Sequence, residues 1–100
     1  MVKTRNIDTE LMSRMADILK CIAHPVRLSI VELLEEHERL NVTELREHVS
    51  IEQSLLSHHL IKMKDRGILV AERQGKNIYY TLKDRNIVRI FDCMEKCDFL

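Results

Sequence analysis

The chain has few of the residues that form flexible connections, since its 100 residues include one proline and two glycines. It contains no run rich in serine and glycine or in proline, and no segment repeats at a period of roughly 20 to 50 residues. A chain of this length is typical of one domain with one core. We therefore expect residues 1–100 to form a single domain without a flexible tether.

Long apolar runs are also missing. No stretch approaches the ~20 residues that a membrane-spanning helix needs, and the opening segment MVKTRNIDTE has no hydrophobic signal core. The three cysteines are an odd number in a chain without an export signal, which argues against a disulfide scaffold and for reduced thiols. The sequence predicts a cytoplasmic protein with no membrane partner.

The chain has no net charge, because 16 basic side chains balance 16 acidic ones, and this composition alone argues against nucleic-acid binding. The charges are unevenly distributed, however. Residues 1–50 hold 7 basic and 9 acidic side chains, whereas residues 53–76 hold 5 basic and 2 acidic ones. This modest local surplus predicts that DNA binding would need two subunits or good contacts to bases.

The positively charged segment begins with an amphipathic helix. Its apolar residues recur at the i, i+4 and i+7 positions that face a core: Leu56, Leu60 and Met63. The opposite side is mostly short and polar: Ser54, Ser57, His58 and Ile61. Short donors and acceptors on an exposed helix suit the edges of bases, and the major groove of DNA is wide enough to admit that helix.

A β-hairpin follows this helix. Gly67 can take the left-handed conformation that ends a helix, and after it the hydrophobic period changes from about 3.6 to 2. The segments ILVAERQ and NIYYTL flank a two-residue turn, Gly75-Lys76. A reading helix followed by a glycine-tipped hairpin is the layout of a winged helix.

Four further helices are predicted from spacing and end signals: residues 8–22, a second helix from Pro25, residues 42–49, and a last helix from Asp84 to Cys97. Asn41 and Glu44 form a capping-box pattern before the third. The fold class is therefore mainly α with a β-hairpin wing, a winged helix-turn-helix. The first and last helices have more apolar surface than a small core can cover, so we expect them to pair with a second copy of the chain unless they cover one face of the domain.

The segments LKCIAHPVRLSIVELL, LNVTEL, QSLLSHHL and RQGKNIYYTL occur in an order and spacing that resembles the ArsR family of bacterial winged helix-turn-helix repressors. The resemblance extends from about residue 16 to residue 97. It implies a dimeric repressor, paired through its first and last helices, that binds a double-stranded operator near its own promoter. It also implies release of the DNA when an effector binds.

The resemblance further implies which residues contact DNA: Gln53, Ser54, Ser57, His58 and Lys62 on the reading helix, and Arg73 and Lys76 on the wing. Two positions depart from the family pattern. Leu55 is bulkier than the small residue usual there, and Ile61 replaces a common lysine or arginine, so it loses a phosphate contact or meets a thymine methyl group. We expect His59 to pack and hydrogen-bond at the helix margin rather than read bases.

The effector sites that the family uses are largely missing. Its arsenic and cadmium site needs two cysteines at the start of the third helix, where this chain has Asn41 and Thr43. The family's zinc site lies on the last helix. This chain retains Asp84 at one of the matching positions but has no family ligand at the others. Its persulfide-sensing pair lacks the first cysteine, because Val31 occupies that position.

The cysteines Cys21, Cys93 and Cys97 could form a different site. Cys93 and Cys97 are four residues apart on one helix face, and Cys21 ends the helix expected to pack beside them. Three interpretations are open: core packing, a site for a thiophilic metal or metalloid ion, and reversible thiol oxidation. His37 and His48 show no ligand spacing with the cysteines and are interpreted as surface residues.

Functions other than repression would need other sequence features. The sequence has no nucleophile and base pair, no phosphate-binding loop and no HExxH motif, so we do not expect an enzyme. Two alternatives stay open: a winged-helix module that binds proteins, and a DNA-binding regulator without a small-molecule effector. Ile61 and the zero net charge favour a protein-binding module, whereas the polar helix face and the basic wing favour DNA.

Overall fold

The computed structural model describes residues 5–98 and residue 100, and it has the predicted order of helices and hairpin. The elements are α1 (Thr9–Ile22), α2 (Pro25–Glu36), β1 (Leu40–Asn41), α3 (Val42–Arg46), α4 (Gln53–Asp65), β2 (Leu69–Gln74), β3 (Asn77–Leu82), a 3₁₀ turn (Arg85–Val88) and α5 (Arg89–Lys96). The three strands form one antiparallel sheet in the order β1-β3-β2. The predicted winged helix-turn-helix is confirmed.

Side-chain caps begin α1 and α3. The Asp8 carboxylate accepts a hydrogen bond from the Leu11 N–H at 2.8 Å at the start of α1. At α3 the predicted capping box is present, because the Asn41 side chain accepts from the Glu44 N–H at 2.8 Å and the Glu44 carboxylate accepts from the Asn41 N–H at 2.9 Å. These bonds satisfy N–H groups that have no partner within the helix.

Two glycines end α4 and turn the wing. Gly67 has a φ of 79° at the end of α4, where its own N–H donates to the Lys64 carbonyl and the Ile68 N–H donates to the Met63 carbonyl, both at 2.9 Å. This pair of bonds is the Schellman arrangement, which satisfies carbonyls left open by the last turn. Gly75 has a φ of 65° in the two-residue turn between β2 and β3. Both backbone conformations favour glycine.

The structure differs from the prediction in one added strand and in the bounds of two helices. Strand β1 was not predicted, because two residues, paired here with Tyr80 and Tyr79 of β3, are too short to show a period. Helix α3 ends at Arg46 rather than Val49, since the chain then closes with an i to i+3 bond from the His48 N–H to the Leu45 carbonyl. The segment after Asp84 begins as a 3₁₀ turn, and α5 ends at Lys96 with Cys97 as its cap.

The core lies where α4 meets α2, α3 and the sheet. The predicted inward face of α4 is confirmed, since Leu56, Leu60 and Met63 are fully buried. They pack in one cluster with apolar residues of the other elements, including Ile30, Val31, Leu34, Leu45, Leu69, Tyr80 and Leu82. With one face of α4 fixed in this cluster, its opposite face is left at the surface.

Apolar surface remains exposed on α1 and beside α5. Leu19 is 51% exposed, and Leu11, Met12, Met15 and Met94 are also exposed. A cleft of about 510 Å³ with an almost wholly apolar lining lies between these helices and α2, bounded by Leu19, Ile22, Ala23, Leu28, Ile90, Phe91, Met94 and Leu100. The predicted excess of apolar surface on the two terminal helices is therefore present.

Within the described residues, no helix is both long enough and apolar enough to span a membrane.

The Arg27 side chain of α2 joins α1 to α4. Its Nε–H donates to Nδ1 of His59 at 2.9 Å, and its Nη1 donates to the Cys21 carbonyl at 2.9 Å. His59 is buried, at 4% exposure, which confirms the expectation that this residue packs and hydrogen-bonds. Burial lowers the pKa of His59 below its ordinary value, and the positive charges of His24, Arg27 and His58 lower it further.

The lowered pKa of His59 predicts a loss of stability in mild acid. The unfolded chain binds this proton more readily than the folded chain, so the free energy of unfolding should fall as the pH drops below about 6.5 towards the folded-state pKa. Protonation also removes the acceptor for the Arg27 Nε–H. Urea unfolding at several pH values should show a smaller acid loss for His59→Gln than for the parent. His48→Gln, at an exposed histidine, should behave as the parent does; an equal acid loss in all three would contradict this role.

Candidate nucleic-acid interface

The exposed face of α4 carries the side chains that the sequence placed there. Gln53, Ser54, His58 and Lys62 are exposed, and Ser57 is half-buried. Helix α3 packs against α4 and precedes it by a short turn, so the pair forms the helix-turn-helix. Because the buried stripe of α4 prevents rotation about its axis, these polar groups are held toward solvent on a rigid element, as base reading requires.

Two exposed apolar residues interrupt this polar face. Leu55 is 46% exposed and Ile61 is 53% exposed. The structure therefore confirms that Ile61 faces outward and gives it no packing role in the core. An exposed methyl-bearing side chain on a reading helix is suited to the C5-methyl group of thymine in the major groove.

Arg46 of α3 contacts Gln53, the first residue of α4. This contact was not identified from the sequence. Its Nη1 donates to the Gln53 side-chain oxygen at 3.3 Å. This bond directs the Gln53 amide and leaves the NH₂ group available as a donor. Arg46 lies in a surface groove that also contains Glu47 and Glu52, so the local charge around Gln53 is mixed. No local sequence pattern links positions 46 and 53, because the contact depends on the angle between α3 and α4.

The wing exposes the two predicted cations, Arg73 near the end of β2 and Lys76 in the turn. A third cation, which the sequence did not identify, lies at its base. The Arg39 guanidinium stacks over the Tyr79 ring, 4.2 Å from its centroid. Strand β1 produces this contact, because pairing of Asn41 with Tyr79 brings the segment before β1 alongside β3. A guanidinium stacked in this way is held in place while it remains accessible to phosphate.

The cysteines do not form the predicted three-thiol site within one chain. Cys21 is buried, and its thiol donates to the Lys62 carbonyl at 3.9 Å beside Arg27, so it points into the contact with α4. Cys93 is exposed and Cys97 is half-buried. Among residues 5–98 and 100, no three His, Cys, Asp or Glu side chains are placed to hold a metal ion. The contact of Cys21 with α4 agrees with core packing, one of the three interpretations left open by the sequence.

Cys93 and Cys97 nevertheless interact with each other. Partial burial raises the pKa of Cys97, and the hydrogen bond and charge of the neighbouring Cys93 thiol raise it further. A raised pKa lowers the fraction of thiolate at neutral pH, and the thiolate is the form that binds soft ions and reacts with oxidants. The Cys97 thiol is therefore less reactive than an ordinary thiol, and the exposed Cys93 lies beside it.

Comparison with known proteins places this architecture in a family. The model of the family described as "Bacterial regulatory protein, arsR family" matches residues 24–70, which include α2, α3 and α4. The transcriptional repressor PagR of Bacillus anthracis is 42% identical over 72 residues, which are 72% of this chain and 72% of PagR. The transcriptional regulator NmtR of Mycobacterium tuberculosis is 34% identical over 86 residues, covering 86% of this chain and 71% of NmtR.

Solved structures give the same result. The crystal structure of PagR matches with a TM-score of 0.76 and 36% identity, covering 87% of this chain and 99% of that chain. The crystal structure of the AntR antimony-specific transcriptional repressor matches with a TM-score of 0.82 and 26% identity, covering 95% of this chain and 86% of that chain.

These similar proteins are transcriptional regulators, which confirms the expectation that the chain is not an enzyme. The identity to PagR and NmtR covers more than two thirds of each protein, and the fold agrees with the solved structure of PagR. The resemblance that the sequence motifs indicated is thereby confirmed. The chain belongs to the ArsR family of bacterial regulatory proteins and is a DNA-binding transcriptional repressor with a winged helix-turn-helix fold.

Proposed function

We propose that the protein binds a double-stranded operator as a homodimer, with α4 of each subunit in a major groove and each wing on the flanking backbone. The observation that carries this proposal is the exposed polar face of α4, held outward by the buried Leu56, Leu60 and Met63. Two reading helices related by a two-fold axis would contact two half-sites, so the operator should be an inverted repeat.

The exposed side chains suit two separate tasks. Gln53, Ser54, Ser57 and His58 carry short donors and acceptors that reach base edges, and the Arg46 contact leaves the Gln53 amide NH₂ available to an acceptor such as N7 of a purine. Lys62, Arg73 and Lys76 are long cations suited to phosphates, which position the protein but carry no sequence information. Base reading and anchoring are therefore assigned to different residues and can be tested separately.

Substitutions in the two groups should have different effects on DNA binding. Ser57→Ala should reduce the preference for operator over random DNA, since each good base contact contributes about 1–3 kcal/mol of discrimination. Because a dimer carries two copies of the side chain, Lys76→Ala should weaken binding to both DNAs alike and reduce the salt slope by about two. Fluorescence anisotropy with operator and random duplexes over a range of salt concentrations measures both quantities. If Ser57→Ala keeps the full operator preference and Gln53→Ala does too, α4 is not the reading element.

The homodimer is proposed to form where α1 and α5 expose apolar surface. The apolar cleft between them is about 510 Å³, and the half-exposed Leu19 lies at its edge. Burying a large aliphatic side chain contributes about 1.5–3 kcal/mol, and two-fold symmetry makes each contact occur twice. The family resemblance implies pairing through the same two helices. A partner copy is thus the occupant that accounts for the exposed Leu11, Met15 and Leu19.

Leu19→Glu should convert the dimer to a monomer. Loss of the Leu19 burial in both subunits and the introduction of two charges at an apolar seam should weaken association by at least about 100-fold. Analytical ultracentrifugation at micromolar concentration should show a dimer for the parent and a monomer for the variant. Val70→Glu, at an exposed apolar residue of the wing strand β2, is the matched control and should remain dimeric. A monomeric parent would contradict the proposal.

We further propose that Cys93 and Cys97 are the thiols through which an effector releases DNA. Cys21 is buried, and core packing accounts for it, whereas the exposed Cys93 and the half-buried Cys97 lie at the end of α5. Met94, next to Cys93, lines the α1–α5 cleft, so a change at the pair would act on the proposed dimer seam. The similar repressor AntR is antimony-specific, and antimony is an ion that thiolates favour.

Cys93→Ser combined with Cys97→Ser should keep DNA binding but abolish release by the effective agent. The agents to test are antimonite, arsenite, cadmium and a thiol oxidant, each added to the protein–operator complex in a gel-shift assay. A coupling of about 1–3 kcal/mol, or 5- to 150-fold in DNA affinity, is expected in the parent. Cys21→Ala is the control and should respond as the parent does. If no agent releases the parent, the protein is a regulator without a thiol effector.

A further inference from the structure

The five histidines of the chain have different environments. Nδ1 of His24 accepts from the Val26 N–H, and Nδ1 of His59 accepts from Arg27, so both rings are used within the fold. His58 is exposed on α4. The remaining two, His37 and His48, lie against each other, with ring centroids 5.3 Å apart and ring planes at 37°. His48 is exposed and His37 is half-buried, so both are surface residues as the sequence indicated, but their contact with each other was not predicted.

The backbone holds both histidines in place. His37 ends α2, and its N–H donates to the Leu33 carbonyl at 2.7 Å. His48 follows α3, and its N–H donates to the Leu45 carbonyl at 3.0 Å, while the capping box fixes the start of the same helix. The two rings therefore meet because of the way α2 and α3 are joined, and the ten residues between them in the sequence gave no sign of this contact.

We propose that His37 and His48 bind a divalent transition-metal ion of the zinc or nickel class. Imidazole is a preferred ligand of both ions. With a metal–nitrogen distance of about 2.0–2.1 Å and tetrahedral angles, two bound imidazoles have centroids roughly 5 Å apart, close to the observed separation. Neither ring has a hydrogen-bond partner among the described residues, so binding an ion breaks no hydrogen bond of these side chains.

The chemistry of the pair defines the kind of site. In the described part of the chain no third ligand lies close enough, so water would complete the coordination of the ion. Glu38 and Glu47, the exposed sequence neighbours of the two histidines, make the surroundings favourable for a cation. The ion would join the end of α2 to the turn that leads into α4. This site is separate from Cys93 and Cys97, and it does not depend on their proposed role.

Metal titration of the full chain tests the site without DNA. Isothermal titration calorimetry with ZnCl₂ and with NiCl₂ should show one ion bound per chain in the parent. His37→Gln and His48→Gln should each weaken this binding by about 10- to 100-fold or more. Loss of a residue that only hydrogen-bonds to a metal ligand already lowers metal affinity by about 10- to 100-fold. Both positions are accessible to solvent, so both variants should fold, which circular dichroism can verify.

Two controls distinguish this pair from other ligands. His58→Gln and the combined Cys93→Ser, Cys97→Ser variant should bind zinc or nickel as the parent does. NMR of the histidine ring protons should show the His37 and His48 signals shifting together as the ion is added. The proposal is overturned if the parent binds neither ion, or if both His→Gln variants bind as tightly as the parent, because the two rings then only stack.

Discussion

The guanidinium of Arg27 holds together the three helices on which the rest of the structure depends. It donates to the carbonyl of Cys21 at the end of α1 and to the buried ring of His59 in the middle of α4. Both acceptors would be left without these partners if Arg27 moved, and an unsatisfied buried polar group costs about 1–3 kcal/mol. The orientation of the reading helix is therefore linked to the position of α1. Since α1 also carries the exposed apolar surface, the proposed dimer seam and the proposed DNA-reading face of α4 share one connection.

This connection gives a physical route from an effector to DNA. A change at Cys93 and Cys97 would act on α5, which borders the same apolar cleft as α1. A small displacement of α1 would be passed through Arg27 to His59, and so to the spacing of two α4 helices across an operator. The zero net charge of the chain makes that spacing important. With few cations available for phosphate contacts, affinity depends on both subunits engaging at once.

Much of the fold could be predicted because its signals are local. The stripe of Leu56, Leu60 and Met63, the capping box at Asn41 and the glycine at position 67 each involve residues within one turn or two. Ser54, Ser57 and His58 followed from the same stripe, whereas the other DNA-contact candidates followed from the family resemblance. Features that depend on the packing of separate elements were not predictable. They include strand β1, the Arg46–Gln53 and Arg39–Tyr79 contacts, the burial of Cys21 against α4, and the meeting of His37 with His48.

The most direct measurement is the affinity of the parent protein for the DNA upstream of its own gene as salt is raised. Lys62, Arg73 and Lys76 from two subunits would neutralise about six phosphates, for which log K should fall against log salt with a slope of roughly −5. Binding should then weaken by about 10³-fold between 50 and 200 mM salt, while a random duplex binds more weakly throughout. An affinity that does not change with salt, or no binding to either duplex at low salt, would contradict a phosphate-anchored, α4-reading repressor.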